Sequence, residues 1–414
     1  MILTSFIILF ILTVATKLTL IALNIKSVQE NVNVPQEFAA AVDQNQHEKA
    51  QRYTIKKAKF SLLNITLSQI ILLIWLFSGA LDSLASMSAI NGISKLSAGV
   101  VFLILFNLIN GVINLPLTWY YHFGIEQEFG FNKMTPALFL KDNLKQLLLG
   151  LLIGVPLLYA ILYFIYETDT LWWLYAWSFL VVFQFLMVWA YPKFIAPLFN
   201  KFEPLKNEDL TLEINKLLQT SGMKFKDFFT MNASIRSSHG NAYFTGFGKN
   251  KRIVFFDTLL KTLEKNEVIA VLAHELGHLK KKHILKSIVL GMLSMLIGFY
   301  ILSLAVEHKV FLSAFNINTD EKYMQLLLFT LITPYYTFFL TPISSWFSRK
   351  NEFEADEFAA TYTRAEDLVS ALLKLIRDNS SSLTPHPLYS KFYFSHPPPK
   401  ERIAFLKQLQ IKSS

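Results

Sequence analysis

Cysteine is absent from the 414 residues. That excludes a disulfide scaffold, a thiolate metal site and a thiol nucleophile. Charge is scarce as well: 17% of residues are Asp, Glu, Lys or Arg, against about 25% in an average soluble domain. Low-complexity tracts and internal repeats are missing. What fills the space is apolar: 53% of residues are hydrophobic and the mean hydropathy is +0.37. With 37 Phe and 16 Tyr the chain carries far more apolar surface than a solvated coil, so disorder is excluded. The charges that do occur sum to +9, which suits either nucleic acid or an anionic membrane surface. Their placement decides between the two.

Seven stretches approach the roughly 20 apolar residues needed to cross a bilayer: Ile2–Asn24, Phe60–Leu81, Leu96–Ile125, Gln146–Tyr166, Thr170–Pro192, Ser287–Val306 and Tyr323–Ser348. The first lacks a basic leading region and a small-residue cleavage site, so it reads as an uncleaved span. Lys17 interrupts it, either snorkelling to an interface or facing a wet interior. Asn107, Asn110 and Asn114 recur at helical spacing in the third span. They predict a face turned to protein or to water.

An odd number of spans puts the two termini on opposite sides. Segments 25–59, 126–145, 193–286 and the tail from Arg349 hold 35 Lys and Arg, while the other side holds Lys95, Lys309 and Lys322. The positive-inside rule places the first set in the cytoplasm and the N-terminus outside. A membrane surface accounts for the basic surplus, and nucleic acid is not an expected partner. The expected organisation is 1–192 with five spans, 193–286 as a cytosolic insert, 287–348 with two spans, and 349–414 as cytosolic helices.

In the insert, Asp209–Thr220 reads as an amphipathic helix and Phe225–Met231 as a strand. Asn241–Gly246 and Arg252–Phe256 read as a hairpin across Gly248-Lys249-Asn250. Asp257–Leu263 is a short helix, and Asn266 is an N-cap for a helix over Glu267–Lys282. The tail predicts helices over Ser348–Arg364, Glu366–Asp378 and Lys400–Ile411.

The insert's last helix carries His274-Glu275-Leu276-Gly277-His278. Histidines at i and i+4 lie on one helical face, about 6 Å apart along the axis, so both imidazoles can reach one metal ion. Glu275 adjoins the first ligand and can take a proton from water held there. The apolar flanks Val268, Ile269, Val271, Leu272 and Ala273 bury the helix. Catalytic zinc takes three protein ligands, and with no cysteine the third is His, Asp or Glu. Glu352 is the strongest candidate. Asp356 shares its helical face and would accept a hydrogen bond from His274, while Glu354 points elsewhere. Two spans separate His278 from Glu352, so the chain returns to the side it left and both ligand sets reach one face of the membrane. His283 is rotated off the ligand face and is expected at the interface instead.

With these segments in place the sequence resembles the type-1 CaaX prenyl endopeptidases, integral-membrane zinc metalloproteases. Besides the two metal segments, the resemblance rests on Gly130-Phe131-Asn132-Lys133, on Ile195-Ala196-Pro197-Leu198-Phe199-Asn200 and on Arg236-Ser237-Ser238-His239-Gly240-Asn241-Ala242-Tyr243-Phe244. Ser395-His396-Pro397-Pro398 and the following Arg402 complete it. It implies a mainly α fold: seven transmembrane helices around a water-filled chamber, capped by a zincin-like α+β domain. It also implies one Zn2+ ion and endoproteolysis near the C-terminus of a prenylated substrate. Asn241 and Ala242 match an edge strand that binds substrate backbone by strand addition. His396 and Arg402 match tail residues near the site, where a donor stabilises the oxyanion. His239 lies within the shared string without a chemical role.

The expected reaction is metal-assisted peptide hydrolysis, with His274, His278 and Glu352 holding the metal and Glu275 moving the proton. Two rivals predict other behaviour. A membrane quality-control protease would share the chemistry and differ in substrate. A transporter would need acid–base pairs inside the membrane, yet the spans contain only Lys17. With no evident retrieval signal at Gln410–Ser414, a bacterial plasma membrane is expected, with the endoplasmic reticulum as the alternative.

Overall fold

The computed structural model describes residues 1–89, 92–225, 227–245, 252–308 and 310–413. Seven helices have the length and apolarity to cross a bilayer: Ile2–Glu30, Gln44–Phe77, Lys95–Glu126, Pro136–Glu167, Trp172–Phe199, His283–Val306 and Lys322–Tyr362. Each contains the stretch expected from hydropathy, except that the second ends early and the fifth begins at Trp172, two residues after the expected Thr170. The second span stops at Phe77, and Gly79 at φ 78° turns the chain into a separate helix, Ala80–Ser88. The same span starts earlier than its apolar run. Asp43 and Gln46 form a reciprocal capping box that begins the helix at Gln44, so a charged stem precedes the apolar segment.

The spans contact one another in chain order, and the seventh returns to the first, closing a ring. At one end the ring is plugged. Phe6, Leu76, Leu81, Phe102, Ile165, Trp172, Phe315, Tyr323 and Leu328 form a continuous buried core there. Gly99 in the third span permits the closure, because a Cβ at that position would lie 2.8 Å from the Tyr323 ring. Over their most apolar stretches the spans bury little of themselves, from 6% in span five to 33% in span three. Leu152, Val182 and Ile297 are among many large apolar side chains left exposed, as lipid contact requires. The seven helices thus wall a chamber that is closed at one end by apolar packing and capped at the other by the polar domain.

Inside span three, Asn107, Asn110 and Asn114 donate back to carbonyls four residues earlier, so their amides are satisfied within the helix. Asn110 also accepts from Trp75 Nε1, and Asn107 lines a 630 Å³ cavity between spans three and four. The Lys17 ammonium lies 5.2 Å from the centre of the Phe338 ring, which gives it a cation–π partner.

The cap is built on a four-stranded sheet in the order β1-β2-β4-β3, with β1 Phe202–Pro204, β2 Asp227–Met231, β3 Ala242–Thr245 and β4 Arg252–Phe256. β2 and β4 run parallel and the other pairs antiparallel, which leaves β3 on an edge. The expected turn at Gly248-Lys249-Asn250 lies outside the described residues. Helices Glu208–Thr220, Lys265–Lys280 and Ala365–Asp378 cover the sheet through Ile214, Phe255, Leu272, Leu276 and Leu368. The motif helix begins earlier than expected. Its cap is Glu264 in a capping box with Glu267, and Asn266 lies inside the first turn. Span seven does not end at Ser348. Its terminal segment Thr341–Tyr362 runs unbroken from the membrane into the cap.

Three strings noted in the sequence form the seam between ring and cap. Arg236 forms a two-point pair with Asp142 at the start of span four, at 2.8 and 3.1 Å, and donates to Asn200 at 2.9 Å. Backbone hydrogen bonds from Lys133 to Arg236 and from Ser238 to Phe131 stitch the first string to the third. Bidentate guanidinium–carboxylate geometry suits this role, because it fixes orientation as well as distance.

Candidate metal centre

The centre is made by two crossing helices, Lys265–Lys280 and Thr341–Tyr362, packed closely at Gly277. A Cβ there would lie 2.9 Å from Ala355 Cα and 3.1 Å from its carbonyl oxygen. The motif's glycine therefore lets the two ligand-bearing helices meet backbone to backbone. That contact brings together His274, His278 and Glu352, with one donor atom from each lying within 4.8 Å of the others. His278 Nε2 is 3.2 Å from Glu352 Oε1, and His274 Nε2 is 3.5 Å from Glu352 Oε2. Both Nε2 atoms converge, 3.2 Å apart.

The donor set suits a zinc-sized cation. Two imidazole nitrogens and one carboxylate oxygen are a recurrent catalytic zinc set, and they leave a coordination position free. Glu352 is buried, and its Oε2 lacks a hydrogen bond of acceptable geometry, although His396 Nδ1 lies 2.6 Å away. A buried carboxylate oxygen without a proper donor is costly unless a cation satisfies it.

Each imidazole is oriented from behind. His274 Nδ1 is 2.8 Å from Asp356 Oδ1, and Asp356 is fully buried. Asp356 is gripped in turn by Arg402, with Nη2 at 2.5 Å and Nε at 2.9 Å. Burial works against a charge on His274, yet its hydrogen bonds to Asp356 and Glu352 outweigh that and raise its pKa. Glu275 stands beside the cluster. Burial, above all, raises its pKa, and the neighbouring histidines only partly offset this, so it holds a proton more readily than a solvated glutamate.

The structure places the other predicted residues at varied distances from this cluster. His396 reaches Glu352 from an exposed position. Arg402 is buried behind His274, with Nη1 3.7 Å from Glu352 and its main pairing to Asp356. Asn241 precedes and Ala242 opens the edge strand β3, which packs against the motif helix; Ala242 pairs with Phe255 of β4. No described hydrogen bond joins these two residues to the ligand cluster.

Two groups were not foreseen. His283 is buried, with Nδ1 3.1 Å from His278 Nδ1 and Nε2 3.1 Å from Glu354 Oε2. Glu354 thus has a partner at the site and does not merely face away. His239 joins ring to cap. It stacks on Phe131, its Nδ1 is 2.8 Å from Asn379 Oδ1, and its Nε2 is 3.4 Å from Glu126 Oε2. Glu126 also accepts from Tyr53. The pairing with Glu126, first of all, raises the pKa of His239. Sequence position alone gave no signal for Asn379, which comes from the far end of the chain.

A ring of membrane helices carrying a buried His-Glu-x-x-His helix and a glutamate from a second helix defines an integral-membrane metallopeptidase. Residues 24–201 match the family described as CAAX prenyl protease N-terminal, five membrane helices, and residues 204–410 match peptidase family M48. The chain is 33% identical to CAAX prenyl protease 1 homolog of Oryza sativa, covering 92% of this chain and 91% of that protein. It is also 33% identical to CAAX prenyl protease 1 of Saccharomyces cerevisiae, covering 90% and 88%, and to the Homo sapiens homolog, covering 91% and 89%. The crystal structure of S. mikatae Ste24p superposes with a TM-score of 0.89 at 30% identity, covering 96% of this chain and 97% of that one. The chain belongs to peptidase family M48, among the CAAX prenyl protease 1 proteins, and is a membrane metalloprotease. This assignment does not favour a transporter.

Proposed function

We propose that the protein is a zinc endopeptidase that cleaves near the C-terminus of a prenylated protein, with its metal face in the cytoplasm. The observation that carries this reading is the convergence of His274, His278 and Glu352 with Glu275 beside them. The names of the relatives support a prenylated substrate, and a chamber walled by lipid-facing helices suits a substrate that carries a lipid tail. The 35-to-3 sorting of basic residues supports the cytoplasmic face.

Zinc held by His274, His278 and Glu352 would supply Lewis-acid polarisation of the scissile carbonyl and would acidify a water. The remaining steps belong to the chain's own residues. Glu275, its carboxylate made more basic by burial, accepts the water proton and returns it to the leaving amine. The outer edge of β3, which pairs with no further strand among the described residues, offers backbone groups to an extended substrate once the Ala242 N–H leaves the Asn241 side-chain oxygen. His396, exposed and 2.6 Å from Glu352, supplies a donor to the developing oxyanion. Arg402 acts through Asp356, holding His274 in place.

The test uses full-length protein in nanodiscs and three peptides: a farnesylated C-terminal peptide, its unmodified twin, and the farnesylated sequence with a blocked C-terminus. Chelator-sensitive cleavage of the first, abolished by Glu275→Gln, is expected. Equal kcat/KM on the unmodified twin would remove the lipid from the substrate definition, and no cleavage of any peptide would overturn the reading. Proteins trapped in cells by Glu275→Gln should be lipid-modified; misfolded membrane proteins in the trap would point to quality control instead.

A further inference from the structure

The motif helix does not continue into span six. It stops at Lys280, and Lys282 adopts a left-handed conformation at φ 59° before the next helix starts at His283. On an unbroken helix His283 would lie about 140° round from His278. The break instead turns its ring back against the ligand. A non-glycine residue in that conformation is uncommon and persists where the surroundings require it.

The contacts made by His283 form a chain with one consistent set of protons. Glu354, as a carboxylate, only accepts. His283 Nε2 at 3.1 Å therefore carries a proton and donates it to Glu354 Oε2. In a neutral ring with the proton on Nε2, Nδ1 has a free lone pair. That lone pair faces His278 Nδ1 at 3.1 Å. His278 therefore donates from Nδ1, and its Nε2, 3.2 Å from Glu352 Oε1, keeps the lone pair a metal needs. We infer that His283 and Glu354 are positioning residues that fix the tautomer and ring orientation of His278 for metal binding. The inference rests on the metal reading given above.

The centre is then oriented unequally. His274 donates to an anionic carboxylate, Asp356, that is locked by an arginine. His278 donates to a neutral imidazole whose own anchor, Glu354, is one-third exposed. The support of His278 thus reaches the protein surface, whereas that of His274 is buried.

The test compares wild type, His283→Phe, Glu354→Ala and Glu354→Gln as full-length protein in nanodiscs. Zinc affinity is read by competition with a chelator, and the ligand field by the visible spectrum of the cobalt(II)-loaded protein. His283→Phe keeps the ring's bulk and removes the acceptor. It should weaken zinc binding by about 10–100-fold, the usual cost of losing a partner to a metal ligand, and shift the cobalt spectrum. Glu354→Ala, at a partly exposed position, should move both readouts in the same direction. Glu354→Gln retains an acceptor oxygen and should recover most of the loss. Unchanged affinity in His283→Phe and Glu354→Ala, with a wild type that binds zinc, would overturn the inference. Equal losses in the Ala and Gln variants would also overturn it, because the role would then be bulk packing. A wild type that binds no zinc would overturn the metal reading itself and the pair's role with it.

Discussion

Gly277→Ala tests whether the metal centre depends on the close approach of its two helices. In an isolated helix the change is favourable by about 1 kcal/mol, because alanine restricts the unfolded chain. Here the added methyl would lie 2.9 Å from Ala355 Cα, about half an ångström inside ordinary contact, and 3.1 Å from both the Ala355 oxygen and Phe358 Cβ. Two of these atoms are backbone, so no side-chain rotation relieves the clash. Overpacking of this kind costs about 1–3 kcal/mol, which leaves a net loss of roughly 0–2 kcal/mol after the propensity gain. The effect on the metal is sharper. Gly277 adjoins His278, and Ala355 is three residues from Glu352, so parting the backbones by about half an ångström moves the ligands against each other. Ligand distances tolerate only about 0.2 Å. Zinc affinity should fall by at least about tenfold, while the melting temperature of the zinc-free protein shifts by only a few degrees. The assay is chelator competition alongside thermal unfolding with and without zinc. Adding Ala355→Gly should not rescue the loss, because the methyl it removes is not among the nearest atoms. Wild-type zinc affinity in Gly277→Ala would refute the reasoning.

Other consequences follow from the same geometry. Arg402→Met leaves Asp356 buried with one partner fewer, so the folded protein should lose about 3–5 kcal/mol, measured by denaturant unfolding; a loss under 1 kcal/mol would show that the pair is dispensable. Lys282→Gly relieves the left-handed residue between motif helix and span six and should raise stability by about 1 kcal/mol, read as a higher melting temperature with zinc binding unchanged. The His239–Glu126 pairing raises the pKa of His239 above its ordinary 6.5, so its stabilising share is full below that value and fades as pH climbs through the raised one. Proteolytic nicking at the ring–cap seam should therefore increase as pH rises above 6.5 in wild type, and Glu126→Gln should flatten that dependence. Glu275→Gln should bind zinc as wild type does and lose cleavage; retained cleavage would place the proton on another group.

The membrane half was legible in the chain because a bilayer imposes a one-dimensional rule. About twenty apolar residues must run together, and basic residues must gather on one side. The metal helix was legible for a similar reason, since i and i+4 spacing fixes which side chains share a face. Glu352 and Asp356 share a face for the same reason. Local rules failed where the chain breaks its own periodicity. His283 was read off the ligand face because the helix was extended through Lys282, where a left-handed residue reverses it. Glu264 displaced Asn266 as the cap because its reciprocal partner, Glu267, is one turn away.

By itself, then, the sequence determined the spans and the metal-binding residue types, because these depend on neighbours a few positions apart. Only the tertiary structure decided which groups stand behind those ligands. Arg402 reaches Asp356, Glu354 reaches His283, and Asn379 reaches His239 across separations of 46, 71 and 140 residues. Hydrogen bonds of that range are set by how helices cross, and the crossing is fixed by close packing at positions such as Gly277. No pattern in a linear string records that packing.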